Sequence, residues 1–163
     1  MRFDLMYDAF FKILSLDNLN EGIGLTLQVV FIATILGLGL AIIVALMRIS
    51  KVRAYNVSSY YFIYLIRGTP LLLQLYFIYY GLGQFEFIRE SFLWPVLREP
   101  FWCGIITLTI STGAYSAEII RGGIQSVSPG QIEAGKALGL SKFSLFIKII
   151  APITIRQALP AYG

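Results

Sequence analysis

Between Gly22 and Met47 no charged residue interrupts the chain. As a helix this stretch is about 39 Å long, more than the ~30 Å hydrocarbon layer of a bilayer, so it predicts a first membrane span over 22–47 with some tilt. Along it Ala33, Gly37, Ala41 and Ala45 recur every four residues, a small-residue stripe that permits close packing on a neighbouring helix. The next apolar stretch, 54–85, carries one charge, within Arg67-Gly68-Thr69-Pro70. Pro70 removes a backbone donor and Gly68 loosens the turn, so a straight helix is not expected there. A lipid-facing arginine at the bilayer centre costs about 2.5–3.5 kcal/mol, which favours a cytoplasmic or interfacial helix over 54–68 leading into a second span over 69–85. The alternative is one long broken helix with Arg67 near mid-bilayer. Tyr76, Phe77, Tyr79 and Tyr80 then fall at the outer aromatic belt.

A third span is predicted over 101–120, after an outer loop over 86–100. It is more polar than the first. Ser111, Thr112, Tyr115 and Ser116, with Thr107 and Thr109, argue for a face buried in protein or lining a pathway rather than facing lipid, although such hydroxyls also serve as bonds between helices. Glu118 at its cytoplasmic end needs a partner. Arg121, three residues on, is on the same helix face; Arg67 and the ammonium of a passing solute are the other choices. A cytoplasmic loop over 126–157 follows. In it Ser128, Pro129 and Gln131 have the spacing of a capping box with proline at the first helical position, which predicts a short helix to about Leu138, ended by Gly139. Ala134, Gly135 and Ala137 leave that helix nearly bare beside Glu133, a surface a partner backbone can approach closely. Phe143, Leu145, Phe146, Ile149 and Ile150 continue in an apolar helix along the inner membrane surface, interrupted by Pro152 and Pro160.

Composition agrees with this reading. The 163 residues are 57% hydrophobic and 13% charged, with mean hydropathy +0.74, values of an all-α integral membrane protein rather than a soluble domain. With no histidine and Cys103 as the single cysteine, intrachain disulfides, Cys/His zinc sites and Ser-His or Cys-His nucleophilic chemistry are excluded. No metal or cofactor is expected, and the chain is not expected to be an enzyme. The net charge of +4 is explained by topology rather than by nucleic acid. Arg48, Lys51 and Arg53 follow the first span without an acid until Glu86, and Arg121, Lys136, Lys142, Lys148 and Arg156 outnumber Glu118 and Glu133 after the third. By the positive-inside rule both regions are cytoplasmic. The lead-in over 1–21, with four acids and two bases, is therefore extracytoplasmic, and its Phe10, Phe11, Ile13 and Leu14 suggest a short surface helix.

Glu133-Ala134-Gly135, then Gly139, then nine residues before Ile149-Ile150-Ala151-Pro152, resembles the EAA loop of ABC-importer permeases, written E-A-A-x3-G-x9-I-x-L-P. Gly135 stands in place of the second alanine and Ala151 in place of the leucine. Arg67-Gly68-Thr69-Pro70 and the string from Ser116 to Ile124 resemble the branch that imports polar amino acids of the histidine, glutamine and arginine type. The resemblance implies a single permease domain over 1–163, the incomplete core of a type I importer permease, since family members continue for two further spans. It implies residence in the bacterial inner membrane. It also implies a coupling helix at Glu133–Gly139 that docks on a separate ATPase, a second permease subunit, identical or similar, and an extracytoplasmic solute-binding protein. Arg67, Gly68, Thr69, Pro70, Ser111, Thr112, Tyr115 and Glu118 are the candidates for a hinge or a solute pathway. An importer of another small solute, an osmolyte or an opine, is the alternative; a membrane scaffold without an ATPase has no use for the EAA spacing.

Overall fold

The computed structural model describes residues 16–162. Expectations for the lead-in before Leu16, including the surface helix over 10–14, lie outside the described residues. Nine α-helices succeed one another with no strand among the described residues: α1 (Leu16–Ile49), α2 (Arg53–Gly68), α3 (Leu71–Tyr76), α4 (Glu86–Arg89), α5 (Trp94–Leu97), α6 (Pro100–Gln125), α7 (Pro129–Ala137), α8 (Lys142–Leu145) and α9 (Ala151–Ala158). Nothing breaks the chain between Leu16 and Gly22, so α1 begins ahead of the predicted span.

The two long helices α1 and α6 form the spine. Ala33, Ala41 and Ala45 are at most 2% exposed, and Gly37 is buried with them, so the four-residue stripe is the face that meets α6. The approach is closer than side chains allow. A Cβ on Gly37 would lie 2.7 Å from Thr112 Cβ, and one on Gly113 would lie 2.7 Å from Leu40 Cδ2. Two interlocked small-to-large contacts thus fix the register, the packing logic of helices that gain nothing by excluding water. The rest of α1 faces outward with Phe31, Ile35, Ile42 and Ile43 exposed, apolar all round as a lipid-facing helix must be.

Arg67-Gly68-Thr69-Pro70 breaks the helix as predicted. Thr69 and Pro70 are extended (ψ 141° and 137°), as the residue before proline prefers. The axis of Leu71–Gln84 then turns by 105° from that of α2. After α3 a π-helical turn (Phe77–Gly81) and a 3₁₀ turn (Leu82–Gln84) carry the chain on, with Tyr76 stacked on Tyr80 and Tyr79 edge-on to it at the far end.

The helices straight and apolar enough to cross a membrane are 20–49, 100–125 and 142–161, while 53–68 with 71–84 counts as one only as a bent pair. The stretch expected along the membrane surface is therefore a near-continuous helix. Pro152 is accommodated: in the π-helical turn Phe146–Ile150 just ahead of it, the N–H of Ala151 reaches back to Phe146 O, one residue further than in an α-helix. The helix packs on α6 where Gly123 lies against the backbone of Thr154.

Between these spans, α7 is capped at both ends by the residues that predicted it. Ser128 Oγ accepts from Gln131 N and Gln131 Oε1 accepts from Ser128 N, a complete capping box. At the other end Gly139 has φ +75°, and Leu140 N donates to Gly135 O (3.1 Å) while Gly139 N donates to Lys136 O (2.9 Å), a Schellman motif.

Gly37→Leu is expected to separate α1 from α6 and lower stability by about 1–3 kcal/mol. Gly39→Leu, where a Cβ meets nothing within 4 Å, is expected to have little effect; equal losses in detergent unfolding would refute the seam. Gly139→Ala forces an L-residue into the left-handed region and is expected to cost about 1–2 kcal/mol, whereas Gly130→Ala, in open space within α7, is expected to stabilise. Amide exchange across 130–140 reads both signs.

Candidate functional site

The end of α2 and the C-terminal half of α6 converge on a cleft of about 370 Å³ lined by Arg48, Tyr60, Ile63, Tyr64, Arg67, Gly68, Tyr115 and Glu118. Its charges are held differently. Arg48 is fixed by Asn56, whose Oδ1 accepts from Nη1 (2.8 Å) and whose Nδ2 donates to Arg48 O (2.5 Å), and its guanidinium lies 5.2 Å from the Tyr60 ring. Glu118 is engaged by Arg121, whose Nε (2.9 Å) and Nη2 both donate to Oε1, the pairing that its three-residue spacing predicts. Arg67 is different. Its Cζ lies 5.1 Å from the centroid of the Tyr115 ring, and among the described residues no carboxylate lies within 4 Å of it.

A guanidinium resting on a ring face retains its planar fork of donors for a carboxylate. The cleft thus offers one anion-binding group with no carboxylate partner among the described residues, beside tyrosine rings of which Tyr60 is faced by Arg48, Tyr115 by Arg67, and Tyr64 is stacked on Tyr60. Of the predicted candidates, Arg67, Gly68, Tyr115 and Glu118 come together here. Thr69 and Pro70 form the bend itself, with Thr69 Oγ1 donating to Leu65 O (3.0 Å). Thr112 belongs to the seam with Gly37, and Ser111 is half-buried outside the cleft. The other α6 hydroxyls turn into protein: Thr107 and Ser116 are 1% and 2% exposed, and Thr107 Oγ1 donates to Cys103 O in its own helix (2.7 Å). Tyr60 and Tyr64, on the helix expected over 54–68, are cleft residues. They share a face with Arg67 at spacings of seven and three, and that was the available signal.

The second candidate site is the surface of α7. Glu133, Ala134, Ala137 and Gly139 are exposed. Gly135 is not: a Cβ there would lie 2.6 Å from both Leu145 Cδ1 and Ile149 Cδ1. The expectation that Gly135 widens the outward flank is therefore corrected, because it seats α7 on the following helix of its own chain. What sequence reading missed are two apolar side chains beside the outward flank, Leu138 at 81% and Phe143 at 75% exposed. A composition-based reading treats these as ordinary helix-end and membrane-facing residues.

Residues 16–163 match the family described as binding-protein-dependent transport system inner membrane component. The chain is 48% identical over 164 residues to the nopaline transport system permease protein of Agrobacterium fabrum, covering all of this chain and 66% of that one. It is 37% identical over 143 residues to the histidine/lysine/arginine/ornithine transport system permease protein of Escherichia coli, covering 87% and 60%. Among solved structures, an amino acid ABC transporter crystallised with histidines superposes with a TM-score of 0.69 at 38% identity, over 83% of this chain and 59% of that one. The chain thus spans about three-fifths to two-thirds of the length of these relatives. Because the family match runs unbroken through the α1–α6 spine, the bend, the cleft and α7, this chain belongs to the inner membrane components of binding-protein-dependent transport systems.

Proposed function

We propose that the chain is a permease component of an ABC importer for amino-acid-type solutes, driven by an ATPase on a separate subunit and supplied by an extracytoplasmic binding protein. The observation that carries this is α7: a short helix, fixed by a complete capping box and a Schellman motif, that presents Glu133, Ala134 and Ala137 outward. A rigid helix with a bare flank is suited to insertion into a groove, and Glu133 adds a charged contact. In this reading the cytoplasmic side is that of Arg48, Lys51 and Arg53 and of α7, with the N-terminus on the opposite side. A second permease subunit completes the pathway.

For the solute, the Arg67 cleft supports a carboxylate-bearing molecule. Relatives named for nopaline and for histidine, lysine, arginine and ornithine carry such solutes, and the higher identity to the nopaline permease favours opines beside basic amino acids. Arg67 therefore contacts solute, while Gly68 to Pro70 set the angle at which it is held. Closure of the ATPase dimer displaces α7 and, through it, the helices around the cleft; solute biases that switch only through its differential affinity for the two states.

Ala134→Arg and Ala137→Arg are expected to abolish co-purification of the ATPase and reduce uptake of arginine or nopaline at least ~10-fold, a loss of about 1.4 kcal/mol or more, without changing thermal unfolding. Normal uptake with either variant would remove the docking assignment. Arg67→Gln is expected to raise the half-saturating solute concentration ~10-fold or more, as loss of a charged hydrogen bond worth about 1.5–3 kcal/mol requires, with ATPase capture intact. A fall in maximal rate at unchanged half-saturation would make the segment a hinge only.

A further inference from the structure

The bend between α2 and α3 strips the carbonyls from Ile66 to Thr69 of their helical donors. In a continuous helix Ile66 O would accept from residue 70, but residue 70 is proline. The first backbone bond of the following helix runs from Gln74 N to Pro70 O (3.2 Å), which leaves Thr69 O behind as well. A single side chain takes the first and last of them: Gln74 Nε2 lies 2.8 Å from Ile66 O, 3.1 Å from Thr69 O and 2.9 Å from Thr69 Oγ1. The amide orientation follows from its partners, because the reverse orientation would set an acceptor against three oxygens. Gln74 Oε1 is left buried, with no donor among the described residues. One acceptor is sacrificed to place the N–H groups on the bend. In an apolar phase, non-helical backbone persists only where such internal partners satisfy it.

We propose that Gln74 is a positioning residue, whose carboxamide replaces the donor that Pro70 removes and so holds the 105° bend at which Arg67 lies over Tyr115. Its effect on solute rests on the proposed transport function; its effect on the bend does not. Gln74→Leu keeps the volume and removes the donors. Pro70→Ala restores the N–H opposite Ile66 O, so in the double variant the carbonyl is satisfied again but by a straighter helix.

The test is a distance measurement between spin labels at Val57 and Tyr80, both exposed, in the full chain in lipid nanodiscs with Cys103→Ser. A continuous helix would separate these positions by about 35 Å, and a bend of this size brings them more than 10 Å closer. Gln74→Leu is expected to lengthen or broaden the distance toward the straight value and to raise half-saturation for uptake about tenfold. The double variant is expected to give the long distance with folded yield restored. An unchanged distance in Gln74→Leu overturns the proposal. If Gln74→Leu fails to insert, the double variant decides: recovery with a long distance supports the proposal, and no recovery overturns it. A distance that shifts as expected in a chain whose parent supports no uptake would refute the transport reading and leave the bend inference standing.

Discussion

The contact on which the rest of the fold depends is the approach of α1 to α6 at Gly37 and Gly113. Each glycine admits a side chain from the other helix, Thr112 and Leu40 respectively, so neither helix can slide or rotate without a collision. Where lipid removes the hydrophobic driving force, this interlocking and the dispersion it secures are what hold two helices together. Its consequence is positional. The core of Ala41, Val44, Ala45, Ile63 and Ala117 forms directly beside the seam, and the same register brings Arg48 at the end of α1 to the cleft that Tyr115 and Glu118 line from α6.

A second constraint is that backbone polar groups away from water must find partners. Pro70 and Pro152 both fall where a helix would otherwise run on, and they are accommodated in opposite ways. At Pro70 the helix stops, turns, and has two of its orphaned carbonyls collected by a side chain from the next helix. At Pro152 the helix continues, because one π-helical turn shifts the bonding pattern ahead of the ring. The first outcome produces a cleft wall and the second a candidate span.

This difference marks how far the sequence could be read. Local features were legible where local chemistry decides them: the small-residue stripe, the capping box at Ser128 and Gln131, the stop at Gly139, the Glu118–Arg121 pair and the break at Pro70. Each rests on residues within four positions of one another. Features decided by tertiary neighbours were not legible. Whether a proline stops a helix or is absorbed depends on whether its surroundings can supply a donor or permit a wider turn, so the sequence alone suggests an interruption at Pro152 where the helix continues. Whether a glycine in α7 faces a partner or its own chain depends on where Leu145 and Ile149 fall, fourteen residues on at the furthest. Gln74 carries no local signal, because the acceptors it serves exist only once the chain has bent.

The inward position of Gly135 changes what α7 can do under the proposed docking. A helix tethered only by its flanking loops would absorb a push from an ATPase in those loops. Here the helix is pinned from within. Gly135 admits the ends of Leu145 and Ile149 into its own flank, and those residues begin the helical stretch that packs, through Thr154, on Gly123 of α6. Displacing α7 therefore loads a close-packed chain of contacts ending on the same helix that carries Tyr115 and Glu118. Packed interfaces of this kind shift between discrete arrangements rather than deforming gradually. The small residues of the EAA-like segment then serve two surfaces: Ala134 and Ala137 open the outer flank, while Gly135 closes the inner one. A glycine in place of the second alanine is consistent with that inner role, since even a single methyl group would have to displace two side-chain ends.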